Sequence, residues 1–452
     1  MKYIPKLDKN FTPISEVLRS YRKDVKNAPH DTLKICVERN KGFNYCFSLD
    51  VYKDADKLEI SYRIVERMIK AVLWVAGGYK IYMCGSNYVY NRIKDDYSPT
   101  GARAFDVKFM STVYERPFEV VEVDEKDFPK ENKCSLKIGG HLEGCRIGFD
   151  AGGSDRKVSA VIDGKVVYSE EVVWHPKLSK DWRYQYEGIK EAFLTAASKM
   201  PRVDAVGVSS AGVYIDNKIM VASLFINIPD EDKEKHVKTM YLDIAEELGY
   251  KIDVENDGDV TALAGAMTLK ENGVLGIAMG TSEAVGYINT DGNLNGWISE
   301  LAFAPVDMNS GAMRDEWSGD IGCGVKYFSQ DGVIKLAEIA GIKFDASLSP
   351  AEKLKVVQKM LAENDSVAQT IFEDIGIYLG YTLAFYSEFY KINVLLLLGR
   401  VTSGAAADII VKKAKEVLAA EYPELKDIKI VIPDEKMKRV GQSIAAASLT
   451  EI

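Results

Sequence analysis

The sequence predicts an α/β protein. Three observations carry that expectation. Strand-like and helical segments alternate along most of the chain, two strand, glycine turn, strand hairpins recur about 130 residues apart, and 452 residues at about 150 per domain make roughly three folding units. Hydrophobic residues are 47% of the chain and charged residues 28%, which places it among globular proteins with a sizeable core and outside disordered ones.

From the N-terminus, strands are expected at 32–38 and 44–49, a helix at 61–74 where apolar residues recur every three or four positions, and a strand at 79–84 after Gly77-Gly78. The polar run 124–133 reads as a connector. A meander then opens at 145–150, turns at Gly152-Gly153-Ser154, returns through 157–162 and turns again at Asp163-Gly164 into 165–168. A helix at 186–199 and strands at 205–209 and 252–255 follow, then a helix at 260–269 and a strand pair at 275–279 and 284–288. Helices at 351–362, 366–390 and 405–420 and strands at 394–398 and 428–432 complete the pattern.

The net charge of −9 excludes an overall positive field for nucleic acid or anionic membrane, so a small-molecule partner is expected. The first residues lack the apolar stretch of a signal peptide, and no apolar run is long enough to span a bilayer, which predicts a cytoplasmic protein. The cysteines at 36, 46, 84, 134, 145 and 323 form no CxxC or CxC pair. That predicts reduced, mostly buried thiols and no zinc site.

The chemistry-bearing features are three glycine turns and one acidic cluster. In Asp150-Ala151-Gly152-Gly153-Ser154, glycines let backbone N–H groups close on a phosphate, Ser154 adds a hydroxyl, and Asp150 at the strand end suits Mg²⁺. Gly280-Thr281-Ser282 repeats the device between two strands, and the pair suggests two related half-domains facing each other across a nucleotide cleft. Gly399-Arg400-Val401-Thr402-Ser403-Gly404 joins a buried strand to a helix and suits an adenosine or its phosphates. Between the first two lies Glu255-Asn256-Asp257-Gly258-Asp259, where a strand meets a helix. Asp257 is read as a base for an attacking hydroxyl and Asp259 as the helix cap.

From about Arg146 to Leu449, two-thirds of the chain, these segments resemble the ROK family of sugar kinases and repressors, within the actin- and hexokinase-like superfamily. Asp150 to Ser154 is similar to its D-x-G-G-T loop, Gly207-Val208-Ser209-Ser210-Ala211-Gly212 to G-V-P-G, and Ile226-Asn227-Ile228-Pro229 to P-N-L-P. Glu255-Asn256-Asp257 resembles E-N-D-A-N, Gly280-Thr281 the G-T-G loop, and Gly399 to Gly404 the adenosine-side turn.

The resemblance implies two actin-like (ribonuclease H-like) half-domains, at 145–265 and 266–452, around a nucleotide cleft, with an α+β accessory domain at 1–144. It implies an ATP- and Mg²⁺-dependent kinase acting on a sugar hydroxyl, expected as a homodimer. Asp257 is the implied base and Asn227, Asn256 and Glu300 the sugar ligands. Asp150, Gly152, Gly153, Ser154, Gly280, Thr281, Gly399, Ser403 and Gly404 are the implied nucleotide site, with Asp150 also toward the metal. Where the family has G-E-I-G-H this chain reads Ser299-Glu300-Leu301-Ala302-Phe303, its zinc-binding cysteine cluster is reduced to Cys323, and a sugar-contacting Glu is matched by Val325. These exchanges predict a modified, deoxy or more apolar acceptor than glucose. The competing readings are a ROK-type transcriptional regulator, against which the first 144 residues offer no adjacent amphipathic helix pair and no basic recognition helix, and a non-catalytic sugar sensor.

Overall fold

The structure is a computed structural model. It describes residues 1–433 and 435–452, with side chains throughout except at 435–440. Packing divides the chain into two units. The first comprises Met1–Cys134, Ile277–Val285 and Gly296–Ile432, and the second Ser135–Gly276, Gly286–Asn295 and Pro433–Ile452.

The second unit is built on a five-stranded sheet in the order Ile252–Asn256, Ala205–Ser210, Cys145–Ala151, Asp155–Ile162, Lys165–Val173. The first three strands run parallel and the last two antiparallel, which is the ribonuclease H-like arrangement expected from the sequence. The central strand Cys-Arg-Ile-Gly-Phe-Asp-Ala is buried along its length except at Asp150, as a strand covered on both faces must be. The turn at Asp163-Gly164 has φ of 47° and 75°, and it takes two consecutive left-handed residues to match the twist of a tight hairpin.

Packing explains two further glycines. Gly148 and Gly207 are paired in register on neighbouring strands, and a Cβ would come within 2.2 Å of the Ser443 carbonyl at the first and 1.7 Å of the Ala446 carbonyl at the second. The helix Glu435–Ala447 therefore lies directly on the sheet backbone, an approach only glycine permits. On the other side Phe149 meets Phe193 edge-on at 5.4 Å within a core that includes Ile147, Val206, Val208, Ile189 and Ile244. Each such side chain contributes about 1.5–3 kcal/mol by leaving water.

The first unit contains two sheets. The N-terminal one has the order Asn44–Tyr52, His30–Glu38, Lys80–Cys84, Glu119–Glu122, packed with helices Ile14–Lys26 and Leu58–Val75. The other has the order Glu283–Ile288, Val274–Met279, Val394–Leu398, Lys429–Val431, and the outer ends of its first two strands are counted to the second unit. Around it are helices Gln330–Ile339, Pro350–Ala362, Ser366–Tyr386 and Ala406–Glu421. The helix expected to reach 390 stops at Tyr386.

Helix Leu58–Val75 is buried through its second half, including Glu66, Arg67 and Lys70. These charges are neutralised by partners within the unit. Lys70 Nζ lies 3.0 Å from Asp106 and 3.2 Å from Asp320, Arg67 reaches Asp320 at 2.9 Å, and Arg103 bridges Glu66 and Asp320 at 2.6 and 2.8 Å. Burial raises the Asp320 carboxyl, but Arg67 and Lys70 outweigh it and hold the group below the usual carboxylate range.

Two expectations are corrected here. Cys36 and Cys46 are directly opposed on the first hairpin and are disulfide-bonded, whereas 84, 134, 145 and 323 keep their thiols. The spacing along the chain hides this pair because the partner sits across the ladder. The N-terminal region also contains consecutive helices Asn87–Asp96 and Ala104–Tyr114, where none was expected, though neither is basic, since Arg92 and Lys94 are balanced by Asp95 and Asp96. Among the described residues no helix is long and apolar enough to cross a membrane.

Candidate active site

In the second unit the carboxyl ends of the three parallel strands converge on a group of acids. The register aligns Asp150, Ser209 and Glu255 across the three strands, and Ser209 Oγ donates to Asp150 Oδ1 at 2.9 Å. One residue past Asn256 the chain turns into helix Asp257–Leu269. Asn256, not Asp259, caps this helix. Its Oδ1 accepts from the Gly258 amide at 2.7 Å while its Nδ2 donates to the Gly212 carbonyl at 2.7 Å. Asp259 is drawn instead to the backbone amide of Tyr287, which donates to its Oδ1 at 3.0 Å. The cap is set by where the strand ends, and both residue types serve equally well at that position.

With the cap supplied by Asn256, Asp257 stands at the first helical position with its Oδ1 3.0 Å from the Gly258 amide. It keeps part of its surface open while protein surrounds it, and this desolvation raises its carboxyl above the ordinary range against the pull of that amide. Asp150 is pushed up to about 6, first by burial and then by the charges of Asp257 and Asp155, with the Ser209 bond and Lys157 opposing. Two mutually repelling carboxylates at one sheet end favour a cation between them.

The glycine turn beside them is tied down by Trp174, whose amide donates to the Ser154 carbonyl at 3.1 Å and whose Nε1 donates to the Gly152 carbonyl at 2.8 Å. Ser154 Oγ donates to Asp155 Oδ2 at 2.9 Å. Lys177, which sequence reasoning missed, lies over the turn. A Cβ on Gly153 would be 3.4 and 3.5 Å from its Cε and Nζ. Asn227 is exposed, and its Nδ2 donates to the Lys177 carbonyl at 2.6 Å, so it fastens the segment that carries this cation.

In the first unit, two of the expected glycine features form one cluster. Gly399 adopts φ 97°, and a Cβ there would meet the Met279 carbonyl at 2.2 Å, which brings its turn against the Gly280-Thr281 turn. Arg400 Nη2 donates to Thr281 Oγ1 at 2.5 Å and the Arg400 carbonyl accepts from Gln358 Nε2 at 2.6 Å. Arg400 was not among the expected site residues, because its place beside Thr281 depends on a contact 119 residues along the chain. Ser403 and Gly404 follow on the exposed side of this turn.

Glu300 lies on another edge of the same unit. Its amide donates to the Trp74 carbonyl at 2.8 Å, and the Ser299 amide donates to the Val75 carbonyl at 3.0 Å, so the end of helix Leu58–Val75 positions this acid. Where polar partners are exchanged for Phe303 and Val325, the side chains pack with Ala302 and Cys323. Phe303 rests 4.5 Å from Trp74, and Trp317, 64% exposed, stacks on Phe303 at 6.4 Å. Glu283, buried near Glu300, has one oxygen 3.5 Å from the Tyr386 hydroxyl and its other oxygen without a partner, and burial pushes its carboxyl up to about 8.

No family model matches the sequence, and no curated protein matches it. Among solved structures, the ROK hexokinase from Thermus thermophilus aligns over 67% of this chain and 97% of its own, with 16% identity and a TM-score of 0.52. The chain has the ROK fold. A ROK family transcriptional regulator, a homologue of the Escherichia coli MLC protein, aligns over 68% of this chain and 79% of its own, with 17% identity and a TM-score of 0.54. The ROK fold is thus common to a catalyst and a regulator, and the fold by itself does not choose between them.

Proposed function

We propose that this protein is an ATP-dependent kinase that transfers the γ-phosphate to a hydroxyl of a sugar-like acceptor, with Asp257 as general base. The observation that carries this reading is the arrangement at the sheet end: Asn256 takes over the capping of the helix, which leaves the Asp257 carboxylate at a largely enclosed, partly open position beside Asp150. Phosphoryl transfer asks of a protein chiefly a positioned base, cations and phosphate ligands.

The residues present fit ATP and Mg²⁺. Asp150, raised first by burial and then by its acidic neighbours, is the group toward the metal, which is held by few carboxylates and several waters. Gly152, Gly153 and Ser154 with Lys177 above them, and Gly280 and Thr281 with Arg400, supply backbone donors, hydroxyls and cations for phosphates. Gly399, Ser403 and Gly404 serve the adenosine side. When bound, ATP supplies the phosphoryl group and Mg²⁺ disperses its charge. Asp257 removes the acceptor's proton, Asn256 holds Asp257 in place and retains a second acceptor lone pair for a sugar hydroxyl, and Glu300 orients the acceptor. Asn227 contributes through the Lys177 segment. In this reading 145–265 and 266–452 are the two catalytic halves and 1–144 supports the acceptor side.

The apolar set of Phe303, Val325 and exposed Trp317 supports an acceptor with an apolar or deoxy face. The same exchange favours a second reading, a sugar sensor without turnover. A coupled assay over a panel of sugars, amino sugars and deoxy sugars with MgATP, beside calorimetry on the same panel, separates the two. Turnover abolished by Asp257→Asn supports the kinase, and tight sugar binding with no turnover on any member replaces it with the sensor.

A further inference from the structure

The second unit has a pocket of about 450 Å³ on the side of its sheet covered by helix Arg183–Ala197, lined by Arg156, Val173, Trp174, Tyr184, Glu187 and Glu191. That size is within the range of small-molecule sites, which begin at about 300 Å³. Arg156 is 8% exposed. Its Nη2 is paired with Glu191 at 2.5 Å, but its Nη1 is buried and without a hydrogen-bond partner. A buried guanidinium N–H left unpaired is costly, and a ligand carboxylate that draws the guanidinium toward the pocket recovers the lost bond.

The rest of the wall narrows the ligand's chemistry. Two carboxylates, Glu187 and Glu191, flank the single guanidinium, so a simple anion meets net repulsion. A molecule with a carboxylate for Arg156 and an ammonium for the glutamates meets none. Trp174, Tyr184 and Val173 add a largely aromatic, apolar surface for the remainder. We propose that this pocket binds a free α-amino acid with an aromatic side chain and through it tunes the glycine turn at Gly152-Gly153-Ser154.

The coupling follows from Trp174. The same residue that walls the pocket bonds the turn at both ends, through Gly152 and Ser154, and Arg156 is paired in register with Ala151 at the start of the turn. A ligand that fixes the indole fixes the turn. This part rests on the proposed role of the turn in holding phosphate, whereas the pocket's occupancy does not.

Calorimetry on the full chain with L-phenylalanine, N-acetyl-L-phenylalanine and phenethylamine, without nucleotide or sugar, tests occupancy. L-phenylalanine is expected to bind, and each comparator, lacking one charge, to bind about 10-fold or more weakly. Arg156→Met removes the guanidinium. Should that variant fail to fold, Gly188→Ala places a methyl 3.1 Å from Nη1 on a helix that alanine favours, so it should keep its thermal midpoint and lose about 10-fold in affinity. No binding of L-phenylalanine at millimolar concentration, equal binding of the N-acetyl compound, or undiminished binding by Gly188→Ala overturns the site. Affinity for MgATP with and without saturating L-phenylalanine then tests the coupling, and an unchanged value overturns it. Failure to bind MgATP at all counts against the kinase and leaves the amino-acid result standing.

Discussion

The two glycine hairpins are built alike and charged in opposite senses. Each sheet carrying one has the same strand order, hairpin first and two later strands added beside its first strand, with an extra outer strand only in the second unit. The turn after Asp150 stands beside the raised acids Asp150 and Asp257, with Asp155 at its end, while the turn at Gly280-Thr281 has a guanidinium on its threonine and a buried acid raised by desolvation, Glu283, two residues on. A repeated backbone device thus acquires its specialisation from its own acids together with one side chain brought in by another segment, Asp257 in the first case and Arg400 in the second. The acid-rich turn suits a metal and a proton acceptor, and the Arg400-bearing turn suits phosphate oxygen.

The comparison breaks at once if Asp257 is not the base. Asp257→Asn is expected to lower kcat/KM by about 10²- to 10⁴-fold in a coupled assay with an unchanged circular dichroism spectrum. Next in size, Asp150→Asn and Arg400→Met should each cost about 10-fold, but in different quantities. The first raises the Mg²⁺ concentration needed for half-maximal rate, and the second raises KM for ATP at saturating Mg²⁺. Identical titration behaviour in the two variants would show that the hairpins share one role.

A smaller effect concerns stability. Both Asp150 and Glu283 have carboxyls raised in the fold, so each contributes stability that is present below its unfolded pKa and lost as pH rises through its folded value. For Asp150 that window closes at about 6 and for Glu283 at about 8. Glu283→Gln should therefore gain in thermal midpoint relative to the parent as pH goes from 6 to 9, while the gain from Asp150→Asn should be complete by about 7. A pH-independent difference for Glu283→Gln refutes its burial as an acid. The smallest expected change is Trp317→Ala, which should weaken acceptor binding by about 0.5–1.5 kcal/mol in calorimetry if that ring stacks on the acceptor.

Much of this layout was legible because its signals are local. Alternating apolar residues around Gly152-Gly153 and Asp163-Gly164 announce a meander within 30 residues of chain, and an acidic group between a strand and a helix marks Asp257. What remained hidden depends on pairings that the local pattern does not specify. Lys177 over Gly153, Arg400 on Thr281 and Cys36 opposite Cys46 are set by turns and register that spacing does not encode. The choice of Asn256 over Asp259 as cap was hidden for another reason, since the two are near-equivalent in propensity and only the end of the strand decides.

The way the N-terminal residues grip Glu300 bears on how far this chain can be shortened. An excised 135–452 segment, about the extent of the solved ROK proteins, would lose the Trp74 and Val75 carbonyls and would strip Asp320 of Arg67, Lys70 and Arg103 together. A carboxylate abandoned in that way must rehydrate by opening its loop. The first 134 residues are accordingly no removable appendage. The environment of Glu300 and Asp320 is completed only when the N-terminal segment has folded.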